Sequence, residues 1–179
     1  MTKRRLPLDN MADRHPGLTP AVADSYAEAA RVCLDRHHES PIDLDIANSG
    51  RVETVVAEWI ETDGRTRGAW ANEIDATEVG AYACVLAAVE LAEGLVAVRR
   101  APTRTGADYY IGPAGVTVGD AEDWLRLEVS GIDRACGATV EQRLKEKLTQ
   151  AAAGVSDFPA MAGVVAFKAR RIVLSRVEP

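Results

Sequence analysis

The stretch Gly106-Ala107-Asp108-Tyr109-Tyr110-Ile111-Gly112, followed after a loop by Trp124-Leu125-Arg126-Leu127-Glu128-Val129-Ser130-Gly131, decides how this chain is read. Both segments are rich in β-formers and are expected as short strands, yet each carries one carboxylate where the pattern favours an apolar residue. Side chains alternate between the faces of a strand, so Asp108 shares a face with Tyr110, and Glu128 shares one with Arg126 and Ser130. Two acids on neighbouring strands make a metal site conceivable.

The rest of the composition sets bounds on that idea. The chain has 179 residues, of which 47% are hydrophobic and 27% charged, enough for one globular domain with a substantial core. No apolar run approaches the roughly 20 residues of a membrane span, and Lys3-Arg4-Arg5 does not lead into an apolar signal stretch. A cytoplasmic protein without a membrane partner is expected. Cys33, Cys84 and Cys136 are widely spaced and form no CxxC pattern, which fits small core residues better than a disulfide framework or a zinc site. The formal charge of −6 argues against nonspecific coating of nucleic acid but leaves room for a local basic groove.

Outward from the two strands, the periodicities give an element order. Residues 1–19 are polar, contain Pro7, Pro16 and Gly17, and are expected as a flexible arm, with a single domain over 20–179. Ala21 to His37 has helical spacing, with Thr19 as N-cap and Pro20 in the first turn. His37 and His38 at its end point about 100° apart and fit a helix C-terminus better than a metal site. Ile42 to Ile46 alternates strictly, Val52 to Ile60 is β-rich, and a turn at Thr62-Asp63-Gly64 leads to Thr66 to Trp70, so an antiparallel hairpin or meander is expected. Asp43, Asp45 and Glu53 are read there as the wet face of a strand.

Ala76 to Leu95 is expected as an interior helix, apolar on nearly every side, with Glu78, Tyr82, Val85, Val89 and Ala92 on one stripe. Asp75 and Glu78 have the spacing of a capping box, and Glu78 also stands at the end of a buried stripe, where a carboxylate needs a cation, a metal or backbone donors. Leu95 to Val98 reads as a strand leading into Arg99-Arg100 and Arg104, the strongest positive cluster beside the acids. Thr139 to Ala153 is expected as a helix with Val140, Leu144, Leu148 and Ala151 inward and Lys147 on the margin of that stripe. Met161 to Val177 is β-rich, with Lys168, Arg170, Arg171 and Arg176 on a wet face.

The order helix with Glu78, strand, strand with Asp108, strand with Glu128, helix, strand resembles the PD-(D/E)XK nuclease superfamily, the restriction-endonuclease-like fold with an α-β-β-β-α-β core. The resemblance covers roughly Asp75 to Val177 and makes the preceding helix and hairpin an addition to a mixed α/β sheet. It implies that Asp108 is the first acid, Glu128 the second, and Glu78 the helix carboxylate that many members contribute. Ser130 stands where the superfamily has its lysine. By resemblance, Glu78, Asp108, Glu128 and the Val129 carbonyl would hold Mg²⁺ or Mn²⁺, Arg100 and Arg104 would contact phosphate, and Lys147 would stand in for the missing cation beside Ser130. The implied activity is metal-dependent phosphodiester hydrolysis of nucleic acid, DNA favoured, by a homodimer or a part of a larger complex. The alternative is a nuclease-fold protein that has lost catalysis and serves as a binding module.

Overall fold

The computed structural model describes residues 2–103, 105–115, 123–134, 137–153 and 158–177. It is a mixed α/β structure whose seven-stranded sheet has helices on both faces. The elements are α1 (Met11–Arg14), α2 (Pro20–Asp35), β1 (Ile42–Asn48), β2 (Arg51–Ala57), α3 (Gly64–Ala69), α4 (Glu73–Glu93), β3 (Leu95–Arg100), β4 (Tyr109–Pro113), β5 (Leu125–Ile132), α5 (Gly137–Ala153), β6 (Ala160–Ala166) and β7 (Arg171–Arg176). The sheet order is β2-β1-β7-β6-β5-β4-β3. Pairing is antiparallel except for β1 with β7 and β5 with β6. The connection from β5 to its parallel neighbour β6 runs through α5, as a parallel pair requires a crossover.

The central helix is α4, and its all-round apolar sequence has the expected cause. Ala76, Ala81, Ala83, Cys84, Val85, Leu86 and Val89 are all fully buried, because α4 lies between α2 and the sheet. Close approach is enforced by small residues: a Cβ at Gly80 would fall 2.8 Å from the Ala30 backbone nitrogen. Burial pushes the Cys33 thiol up to about 11 and raises Cys84 too, so both behave as inert small core residues. Cys136 lies outside the described residues. Gly94 ends the helix in the left-handed region at φ 69°, where glycine carries no Cβ penalty.

Three local expectations need correction. Asn72 rather than Asp75 caps α4: its side-chain oxygen accepts from the amides of Ile74 and Asp75 at 3.1 and 3.4 Å, while Asp75 and Glu78 are exposed. Residues 66–70 are not a strand but belong mainly to α3, because the Asp63 carboxylate accepts from the Thr66 amide at 2.7 Å and starts a helical turn there. The meander is therefore a two-stranded hairpin, β1 and β2. Asp43 and Asp45 sit on the wet face, Asp43 paired with Lys3 at 2.6 Å and Asp45 accepting from Thr54 at 2.7 Å, whereas Glu53 shares the face of buried Val55 and Ala57 and accepts from Arg4 Nε at 2.7 Å at the end of that face.

The third correction concerns residues 2–18, which are packed rather than free. Leu6, Leu8, Met11 and Leu18 belong to the main core. The segment bonds to both edges of the sheet: Leu6 donates to Val56 in β2, and Gly17 donates to Ala97 in β3, each at 2.8 Å. Unpaired strand edges invite association with other chains, and this strap covers part of each. Its anchor is His15, fully buried. The Ala97 amide donates to His15 Nδ1 at 2.9 Å, which places the ring hydrogen on Nε2, directed at Glu90 Oε2 3.1 Å away.

That tautomer makes His15 a pH-sensitive element of stability. Burial lowers its pKa from the ordinary 6.5, against the pull of Glu90. The folded state keeps the ring neutral while the unfolded chain takes up a proton, so the stabilisation is present above the unfolded pKa of about 6.5 and is lost progressively as pH falls below it. Urea unfolding across this range should show the decline. His15→Asn should flatten it while lowering stability at pH 7.5 by about 1–3 kcal/mol through the disturbed Ala97 and Glu90 contacts. A parallel pH dependence in the variant would remove His15 as the source.

Candidate functional site

The two sheet faces are unequal, α4 covering one and α5 the other, and the site draws side chains from both helices. Tyr109, Leu127, Val129, Met161, Val165, Ile172 and Leu174 point toward α4 and form the main core. On the other face Val140 and Leu144 of α5 pack against Ala162, Val164, Ala166 and Val173. Register places Tyr110 opposite Arg126, and Glu128 and Ser130 opposite Ala162 and Val164, so Arg126, Glu128 and Ser130 share the α5 face as strand alternation requires.

Asp108 stands just before β4, where pairing with β5 runs out. Its backbone amide still donates to Leu127 O at 2.8 Å, while its Oδ2 accepts from the Val129 amide at 2.8 Å. The carboxylate thus takes the place of the strand partner that β4, starting at Tyr109, does not extend to Val129. Within a strand the N–H and C=O of one residue point to the same side, so the Val129 carbonyl is also directed toward the Asp108 side. Asp108 Oδ1 accepts from the Tyr82 hydroxyl at 2.8 Å, and Arg100 Nη2 lies 2.9 Å from that hydroxyl and 3.4 Å from Oδ1. Tyr82 is held in turn by stacking on Tyr26, centroids 4.9 Å apart, and by an edge contact with Tyr109. Burial, reinforced by the Asp108 charge, raises the Tyr82 pKa, so its hydroxyl remains a donor.

Glu128 meets Lys147. The ammonium of Lys147, one turn beyond Leu144 on the margin of the α5 stripe, donates to Glu128 Oε1 at 3.1 Å. Both side chains are largely buried, with 18% of Lys147 and 13% of Glu128 exposed. The Glu128 pKa is raised by burial and then by the Asp108 charge, with Lys147 pulling the other way. Two acids so close that one disfavours ionisation of the other form a locus for a cation.

A cavity of about 590 Å³ brings most of the expected site together. Glu78, Tyr82, Asp108, Glu128, Val129, Ser130 and Lys147 line it, with Thr77, Arg134 and Arg143 among the other walls. Arg100 touches the site through Tyr82 and Asp108. Arg104 lies outside the described residues. Glu78 faces the cavity from an exposed position, and among the described residues no three Asp, Glu, His or Cys side chains converge into a metal-holding cluster. Asp108, Glu128 and the Val129 carbonyl are the oxygen donors that adjoin one another there, of the type an oxygen-seeking divalent cation takes, since the Asp108 charge reaches Glu128 and the Val129 backbone faces Asp108. Arg126 shares the face but not the function: it is buried and donates to the carbonyls of Thr105 and Phe158, each at 3.1 Å, tying two loops to β5.

Tyr82 is the site residue that sequence reading assigned to packing alone. Its signal was present, since it stands one helical turn from Glu78 on the same stripe. His37 and His38 are structural, with Nε2 atoms 3.0 Å from Asp133 Oδ1 and 2.9 Å from Phe167 O. Among the described residues no helix is long and apolar enough to cross a membrane. Comparison with family models, curated proteins and solved structures finds no match for this chain.

Proposed function

We propose that the protein is a divalent-metal-dependent phosphodiesterase acting on nucleic acid, with DNA as the favoured substrate and a restriction-endonuclease-like core over residues 75–177. The observation that carries this reading is Lys147 Nζ 3.1 Å from Glu128, on the face that also holds Ser130 and beside Asp108. The sheet segment β3-β4-β5-β6 with α4 before it and α5 inserted supports it, since it follows the α-β-β-β-α-β order. Mg²⁺ or Mn²⁺ would be held by Asp108, Glu128 and the Val129 carbonyl, and when bound it would polarise the scissile phosphate and acidify an attacking water. Lys147 supplies the cation that Ser130 cannot, orienting Glu128 and stabilising charge that develops on the phosphate. Tyr82 holds Asp108 in place by donating its hydroxyl to the carboxylate.

A catalytically silent binding module is the second reading. It is favoured by one observation: both oxygens of Asp108 already have protein partners, Tyr82 and the Val129 amide. The deciding experiment is cleavage of single- and double-stranded DNA and RNA with Mn²⁺, using Asp108→Ala as control. Cleavage lost in the control supports the enzyme, and no cleavage of any substrate supports the module.

Metal binding has its own readout. A cation that binds only the folded chain should stabilise it by about 2.7 kcal/mol at a hundredfold excess over its Kd, visible as a rise in Tm of several degrees. Millimolar Mn²⁺ should produce this shift in the wild type and not in an Asp108→Ala, Glu128→Gln double variant. A shift of equal size in both would place the cation elsewhere.

A further inference from the structure

The two acids are not left bare: among the described residues each meets one cation. Glu128 has Lys147 at 3.1 Å, and Asp108 has Arg100 at 3.4 Å, directly and through the shared Tyr82 hydroxyl. Two negative and two positive groups balance, so this inner set is neutral. The two cations differ in freedom. Lys147 is mostly buried beneath α5, whereas 48% of the Arg100 side chain is exposed at the end of the edge strand β3. Its guanidinium carbon lies 4.5 Å from the Tyr82 ring centroid and 4.8 Å from that of Tyr109. Aromatic faces hold a guanidinium without consuming its donors, so Arg100 has a resting place that does not depend on Asp108.

We propose that Arg100 is the resident counter-cation of Asp108, that a divalent metal displaces it, and that the released guanidinium then binds a phosphate of the nucleic acid. This inference rests on the metal-dependent reading above and adds an order of events to it. Charge explains the coupling. With Arg100 on Asp108 these four groups offer a phosphodiester no net attraction. Once a divalent cation joins the acids, the set carries two positive charges, and the planar fork of Arg100 is free to make a bidentate contact with phosphate. Metal and nucleic acid should therefore bind cooperatively, and by linkage each should tighten the other to the same degree. Removal of Arg100 should break that coupling while making the acids more available to metal.

The test is calorimetric titration of the full chain with Mn²⁺, read without any activity. Arg100→Gln and Arg100→Met remove the competing charge, and the methionine keeps an apolar stem over the tyrosines. Both should bind Mn²⁺ roughly fivefold more tightly than the wild type, while Arg100→Lys should stay near it. In parallel, anisotropy of a fluorescent DNA duplex should rise on adding Ca²⁺ to the wild type, and the cation effect should shrink in both neutral variants. Equal or weaker Mn²⁺ affinity in the neutral variants overturns the exchange and leaves the metal site standing. No Mn²⁺ binding by any of the proteins overturns the exchange together with the metal-dependent reading. Melting temperatures without metal identify a misfolded variant, and the other neutral substitution then carries the comparison.

Discussion

Asp108→Ala is expected to abolish Mn²⁺-dependent cleavage, a loss of about a thousandfold or more, because several kcal/mol of charge stabilisation at the phosphate leave with the cation. The same substitution removes the acceptor for the Tyr82 hydroxyl and for the Val129 amide. Asp108→Asn keeps the shape and one acceptor oxygen for the Val129 amide, while its NH2 can donate to the Tyr82 oxygen, so it separates the two roles: it should fold and still fail to cleave. Lys147→Ala should fall to the same level as Asp108→Ala, since no other lysine or arginine bonds to Glu128 among the described residues. Activity retained in the lysine variant, with Asp108→Ala inactive, would leave the metal site intact and remove Lys147 as the replacement for the cation missing at Ser130.

Gly131→Val should produce the largest loss of stability. Gly131 follows Ser130 in β5 and lies against the first turns of α4, where a Cβ would stand 2.4 Å from the Thr77 carbonyl oxygen and 3.1 Å from Ala81 Cβ. The first of these neighbours is backbone of a helix packed on both sides, so relief requires α4 to move away from the sheet. Overpacking of this kind costs about 3 kcal/mol or more, a large share of the ~5–15 kcal/mol that holds a domain of this size. Urea unfolding should show a midpoint shift at unchanged slope. Gly137→Ala serves as control, since among the described residues nothing lies within 4 Å of the Cβ it would add at the start of α5; it should leave stability within about 0.5 kcal/mol. A small effect of Gly131→Val would mean that α4 can slide over β5, and the rigid placement of Tyr82 beside Asp108 would fall with it.

The legible parts of the site were those written in short-range periodicity. Alternation along β5 put Arg126, Glu128 and Ser130 on one face, and helical spacing put Lys147 at the margin of the α5 stripe; both follow from geometry internal to one element. The misread parts depended on partners far away in sequence. Residues 2–18 look like a tail because they are polar and lack a repeat, yet Leu6, Leu8, Met11 and Leu18 bury themselves at the sheet edges and His15 binds an amide 82 positions away. Asp75 and Glu78 have capping-box spacing, but Asn72 begins the helix earlier and leaves both exposed. The turn at Asp63 could start a strand or a helix, and one side-chain bond to Thr66 selects the helix.

By itself the sequence determined the succession α4, β3, β4, β5, α5, the strand acid Glu128, the all-apolar α4 and the absence of a cation at position 130, because each is a matter of residue type and local period. Only the tertiary structure decided which cations meet Glu128 and Asp108. Lys147 comes to Glu128 from 19 residues away because α5 must cross over the sheet to bring β6 parallel to β5. Arg100 comes to Asp108 because β3 and β4 pair with Arg100 opposite Tyr109, which leaves its guanidinium beside Tyr82. A strand pattern carries no information about what lies above its face; packing of separate elements supplies it.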